Sequence, residues 1–328
     1  MELLNKLTAA FGPSGYEDEV ADILIDEIKP YVDEIKRDRL GNVIALKKGT
    51  TNEKIMTSAH MDQIGVMVSY IEKGGYLRFT NVGWVDPHAI LYHIVRFKNG
   101  VTGIISKEDK KEIKDLKLKD LYIDIGASSK EEAESKVRIG DFAVFKSFFR
   151  LEGDRVYSGA LDDRIGCYIL IEAAKRLKGN KSDVYFTFTV QEETYTSGAA
   201  TSAFAIEPDM AVVIDVTDTG DTPNCNAMAV KMGDGAAIKV KDGGMICHPF
   251  IKKFLEETAE KYGIKHQYEK LIGGATDGSE IHVSKTGVLT GAISIPSRYV
   301  HTPEELVDMK DVEAVISLLT KTLEEWEK

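Results

Sequence analysis

The residues able to do chemistry in this chain are imidazoles and carboxylates that follow apolar runs. His60 and Asp62 follow Lys54–Ala59, Glu192 and Glu193 follow Val184–Val190, Asp215 closes Met210–Ile214, and His301 follows Val288–Pro296. Asp162, in Asp162-Asp163-Arg164, opens a helix-like segment. Imidazole and carboxylate together suit zinc, with cobalt or manganese as substitutes. Crowded carboxylates repel one another unless a cation neutralises them. One ion fits His60, Asp162 and Asp215; a second fits Asp162, Glu193 and His301, with Asp162 shared. Two such ions, about 3.5–4 Å apart, polarise a carbonyl and lower the pKa of a bridging water. Neighbours in an extended segment point to opposite sides, so Glu193 ligates and Glu192 is left as the general base. That base takes the water's proton and passes it to the leaving amine. Asp62, two residues from His60, is expected to hold the ring's second N–H. Each piece alone has a plainer reading: Asp162-Asp163-Arg164 as a helix N-cap with a salt bridge, the Glu pair as a solvated face. Their joint placement points to a site.

The elements that must position them form two patterns. Residues 16–32 carry apolar side chains at Val20, Ile23, Leu24 and Ile28, one face of a helix. Two short strands are expected around Leu40-Gly41-Asn42. Helix-like Leu161–Leu177, Ala199–Phe204, His248–Tyr262, Asp277–Ser284 and a last helix from Asp308 alternate with strands Val184–Val190, Met210–Val216, His266–Glu269 and Val288–Ile295. Such alternation predicts an α/β fold with a mostly parallel central sheet covered on both faces. Ligands in such sheets bind beyond the carboxyl ends of the strands, where the candidate residues stand. Between these parts the pattern changes. Gly65–Ile71, Tyr76–Val82, Ile90–Phe97, Val101–Ile105, Leu121–Ile125 and Phe142–Phe149 are short β-like runs, several separated by turn signals such as Gly74-Gly75 and Asn99-Gly100. One helix, Lys130–Val137, is expected among them. The expected organisation is a discontinuous catalytic domain, 1–63 and 156–328, interrupted by a β-rich inserted domain, 64–155.

Several runs of the sequence are similar to the tetrahedral (TET) dinuclear-metal aminopeptidases of the deblocking and glutamyl type, some of whose relatives carry the label endoglucanase M. The runs are Gly12-Pro13-Ser14-Gly15-Tyr16-Glu17, Ala59-His60-Met61-Asp62-Gln63-Ile64-Gly65, Leu161-Asp162-Asp163-Arg164, Val190-Gln191-Glu192-Glu193, Val213-Ile214-Asp215, Gly273-Gly274-Ala275-Thr276-Asp277 and Ile295-Pro296-Ser297-Arg298-Tyr299-Val300-His301. They span nearly the whole chain in family order. The resemblance implies a zinc-peptidase-like α/β sandwich and the ligands His60, Asp162, Glu193, Asp215 and His301. It also implies Glu192 as base and Asp62 as a supporting catalytic acid. It further implies that the insertion is a PDZ-like or small-barrel dimerisation domain, and that dimers build a hollow tetrahedral dodecamer that admits peptides. The chain departs from the family at Thr194-Tyr195-Thr196-Ser197, where relatives commonly have an arginine-containing run, and this bears on side-chain preference.

Composition sets the outer limits. With 53 acidic against 42 basic residues the formal charge is −11, which leaves no basic footprint for nucleic acid and nothing for an anionic membrane. No apolar run is long enough to span a bilayer and no secretory signal is expected at the start. Three dispersed cysteines argue for a reducing compartment, so the expected location is the cytoplasm. Two other readings stay open: a deacylase or glycoside hydrolase on the same site, and a metal-stabilised assembly protein without activity.

Overall fold

A computed structural model describes residues 1–327. Its centre is an eleven-stranded sheet, with the main path running Glu34–Arg37, Val43–Lys47, Asp183–Thr189, Lys54–His60, Met210–Thr217, Leu289–Arg298, Glu305–Asp308, Arg155–Ser158, Arg150–Glu152. Ala236–Lys241 pairs antiparallel with Leu289–Arg298 off this path and carries His266–Lys270. The four central strands, Asp183–Thr189 to Leu289–Arg298, run parallel. The flanks are antiparallel, so the sheet as a whole is mixed. Parallel strands need long crossovers, which helices supply in the middle and between the parallel pair Ala236–Lys241 and His266–Lys270, while the antiparallel pairs 34–37/43–47, 150–152/155–158 and 289–298/305–308 close through short turns.

Alternation sorts the strand side chains onto two faces. Met210, Val212, Ile214 and Val216 pack into a large core with the helices Glu2–Ala9, Asp18–Ile28, Leu161–Arg176, Pro249–Tyr262 and Met309–Glu325. Ala211 and Val213 face the other way, against Ala199, Ala203 and Ile206 of the helix Ser197–Ile206 and Ile281 of the turn Gly278–Ile281. The expected helix over 277–284 is therefore one turn only. The helix over 2–9 and the strands at 150–152, 155–158, 236–241 and 305–308 were not anticipated, being too short for a clear period.

Gly65–Ile71, Leu77–Val82, Leu121–Asp124, Thr102–Lys107, Ile94–Phe97 and Phe142–Phe145 close into an antiparallel six-stranded barrel. Its interior is its own cluster, including Val66, Val68, Leu77, Val95, Ile105 and Ile123. Two of its strands, Ile94–Phe97 and Phe142–Phe145, are half as long as the apolar runs that suggested them. Residues 87–92 form turns and a bend, and the run after Phe145 leaves the barrel.

Candidate metal centre

Parallel pairing puts the ends of three strands at one edge. His60 ends Lys54–His60 and lies in register with Thr189; Asp215 is near the end of Met210–Thr217. After Thr189 the chain turns through Gln191 in the left-handed region (φ 57°) into a single helical turn, Glu192–Tyr195. The Glu pair is therefore not extended, as the sequence pattern suggested. Successive residues of a helical turn still diverge, by about 100°. Glu192 Oε2 lies 3.9 Å from His60 Nε2, whereas Glu193 Oε2 lies 3.2 Å from His301 Nε2. His301 follows Leu289–Arg298 and is itself left-handed (φ 61°). Asp162 and Asp163 sit at the start of Leu161–Arg176 with non-helical backbone, joined by a cis peptide.

Asp162 is the centre of the arrangement. Its Oδ1 is 3.0 Å from His60 Nε2 and its Oδ2 is 3.2 Å from His301 Nε2. Ligand atoms of His60, Asp162 and Asp215 lie within 4.8 Å of one another, and so do those of Asp162, Glu193 and His301. All five residues expected to ligate are thus brought together, as two trios sharing Asp162. The donor set fits divalent cations: two imidazoles, three carboxylates and no thiolate. Glu193 Oε1 is buried and has no hydrogen-bond partner, as a carboxylate awaiting a cation would be.

The electrostatics point the same way. Burial disfavours a charged imidazole, yet Asp162 and Asp62 outweigh it and hold His60 well above the ordinary histidine range. Against the same burial, Glu193 and Asp162 push His301 up to about 12. Burial pushes Asp215 and Glu192 well above the carboxylate range, although His60 opposes it in both. Protons held this firmly stand where positive charge is required.

A surrounding layer fixes these groups. Asp62 is fully buried, and its carboxylate does more than steady His60. It accepts from Ser14 Oγ (2.6 Å), the Glu192 N–H (2.9 Å) and the Glu193 N–H (3.2 Å). His60 Nδ1 lies nearer the Asp62 carbonyl (3.1 Å) than its carboxylate (3.5 Å). Asp62 therefore couples the His60 strand end to the turn bearing both glutamates. Glu305, which sequence reading missed, accepts from the N–H of Asp162 (2.9 Å) and of His301 (3.2 Å), tying together two of the expected ligands. Asp163 accepts from the N–H of His60 (3.3 Å) and of Gly166 (3.0 Å). A Cβ on Gly166 would lie 2.3 Å from Asp163 Oδ2, so only glycine fits there. Arg164 makes no salt bridge among the described residues, contrary to the N-cap reading. Its buried guanidinium donates to the carbonyls of Met61, Leu7, Ala10 and Gly12 and to Gln63 Oε1. Nothing in local patterning marks Glu305 or Asp163 as tied to the site, because the donors that tie them to it, the N–H groups of Asp162 and His60, lie 143 and 103 residues away.

The site opens into a cavity of about 630 Å³ lined by Trp84, Tyr195, Asp218, Lys239, Leu271 and Thr276 among others. Trp84 comes from the barrel side, after Gly83; its ring lies 6.0 Å from that of His301. Gly83 has φ 74°, and a Cβ there would meet Glu193 Oε2 at 3.0 Å, so the barrel segment seats directly on an expected ligand.

Comparison with known proteins agrees with this geometry. The chain is 38% identical to a lysyl aminopeptidase of Pyrococcus furiosus, over 99% of this chain and 96% of that one. Its fold matches an aminopeptidase of the archaeon Desulfurococcus kamchatkensis with a TM-score of 0.95 and 41% identity, covering 99% and 94% of the two chains. It matches the Pyrococcus horikoshii TET1 peptidase, which can assemble into a tetrahedron or a large octahedral shell, with a TM-score of 0.88 and 36% identity over 99% of both chains. The model of the M42 glutamyl aminopeptidases matches residues 41–318. The chain belongs to the M42 glutamyl aminopeptidase family, and is a peptide hydrolase of the aminopeptidase kind.

Proposed function

We propose that this aminopeptidase works with two divalent ions, zinc foremost, with cobalt or manganese as alternatives. His60, Asp162 and Asp215 would hold one and Asp162, Glu193 and His301 the other. The supporting observation is Asp162, whose two oxygens face two different imidazoles at 3.0 and 3.2 Å. When bound, the ions supply an acidified water and a Lewis acid for the scissile carbonyl. Glu192 lies outside both trios yet within 3.9 Å of His60, so it is placed to take the water's proton and deliver it to the leaving amine. Asp62 holds Glu192 and Glu193 in place through their backbone N–H groups. Two imidazoles among the carboxylates favour this reading over a glycosidase, which needs only a carboxylate pair.

The test compares peptides with free and acetylated N-termini. Single residues should be released from the free peptides only; release should stop after exhaustive chelation and return with zinc, cobalt or manganese. Activity that survives chelation, or that acts on the blocked peptides or a β-glucan, overturns the proposal.

Residues 64–155 are proposed as an inserted dimerisation domain between the catalytic portions 1–63 and 156–328, and the dimers as units of a tetrahedral dodecamer that restricts access to unfolded peptides. The likeness to a tetrahedron-forming peptidase and the closed barrel support this. Sedimentation should find an assembly far above the 36.3 kDa chain; a monomer at micromolar concentration overturns it. A cytoplasmic location is supported by three free cysteines; cell fractionation reads it directly.

A further inference from the structure

The carboxylates lining the catalytic cavity are Asp162, Glu192, Glu193, Asp215 and Asp218. On the metal reading above, Asp162, Glu193 and Asp215 are ligands and Glu192 is the base, so each of the first four has a role. Asp218 is left over. It is exposed, follows the strand Met210–Thr217, and has no hydrogen bond or ion pair among the described residues. It also stands at a junction. A second cavity of about 460 Å³ shares Asp218 and Leu271 with the catalytic one.

The other charges nearby do not cancel it. Lys239, fully buried in the cavity wall, is bound by Glu269 and Asp242, whose two negative charges outnumber its one. Arg298, in the second cavity, is taken by Asp221 through two hydrogen bonds of 3.1 and 2.7 Å. Lys270 makes no ion pair among the described residues and lines the second cavity but not the catalytic one, so a cation would be repelled from that end and held at the shared mouth. Exposed aromatic rings line both cavities, Trp84 and Tyr195 the catalytic one and Tyr299 the other, and such faces also attract cations.

We propose that Asp218 receives the positively charged nitrogen of the substrate's first residue, either the α-ammonium or the side-chain cation of lysine or arginine. This rests on the two-metal reading, because only with the other four carboxylates committed does Asp218 carry the cavity's uncompensated charge. An unpaired carboxylate aligned with a bound cation is worth about a tenfold change in specificity at a partly exposed site.

The experiment measures kcat and KM of the metal-loaded enzyme and its D218N variant on lysyl, leucyl and glutamyl p-nitroanilides, with metal content determined for both. The expected result is a loss of about tenfold in kcat/KM, mainly through KM. A loss confined to the lysyl substrate, with a relative gain for glutamyl, assigns the side-chain cation. An equal loss on all three assigns the α-ammonium. Values within twofold of wild type on all three, at unchanged metal content, overturn the proposal. The two readings fail separately: chelation that leaves the wild type active breaks the metal reading, whereas the substrate ratios of D218N speak only to Asp218.

Discussion

E192Q should lower kcat by about a thousandfold while leaving KM and metal content close to wild type, an effect within the range for removal of a positioned general base. That is about 4 kcal/mol of transition-state stabilisation. The argument is geometric first. Glu192 belongs to neither ligand trio, so its amide should not release a cation. Its backbone N–H is held by Asp62 at 2.9 Å, so the amide occupies the same place. Glutamine keeps the shape and loses only the ability to accept a proton. Burial raises the Glu192 carboxyl well above its ordinary range, helped by the negative charges of Asp215 and Glu193, which makes it a stronger base than a surface glutamate. The amide also removes a buried charge, so the folded state should not suffer. The measurement is steady-state kinetics on a short peptide beside metal analysis of the same sample. A variant with wild-type turnover, or one that has lost its metal, removes Glu192 from the role assigned to it.

The site was legible in the sequence because it is built at strand ends. Apolar runs such as 54–59 and 210–214 stop at a polar residue, and parallel pairing brings those stops to one edge. Barrel strands were legible for the related reason that turn signals punctuate them. What was not legible depends on contacts between distant parts of the chain. The Glu192–Tyr195 turn hangs on a left-handed Gln191 and on Asp62, about 130 residues earlier, so local propensity says nothing of it. Glu305 sits in a four-residue strand among acidic neighbours, and only its two backbone donors reveal what it does. The antiparallel flank at 150–152, 155–158 and 305–308 was hidden likewise, since strands of three or four residues have no period to read.

Gly83 and Trp84 extend the point to the barrel. Nothing in their local sequence connects them with hydrolysis. Yet the fold seats Gly83 against Glu193 and Trp84 near His301, so the inserted segment forms one wall of the cleft. The barrel is therefore placed to act on substrate choice.

Stripping the metal should also change how the protein's stability responds to pH. In the metal-free protein, burial and mutual repulsion raise Asp215, Glu192, Glu193, Asp163 and Glu305, while carboxylates raise His60 and His301. Each of these groups binds its proton more tightly folded than unfolded. For such groups the stabilisation is complete below the unfolded pKa and is lost as pH rises through the folded value, so the acids and both histidines act in the same direction between about pH 5 and 8. Asp62 and Asp162 are shifted downward and act below that window, where their stabilisation is lost as pH falls. Chelated protein should therefore melt lower at pH 8 than at pH 5.5. Metal at a thousandfold over its dissociation constant adds about 4 kcal/mol. In a chain of this size that is on the order of ten degrees in Tm, and the gain should be larger at pH 8. Scanning calorimetry of loaded and chelated protein at both pH values decides it. Parallel pH dependence in the two forms would mean that these carboxylates do not share a cation.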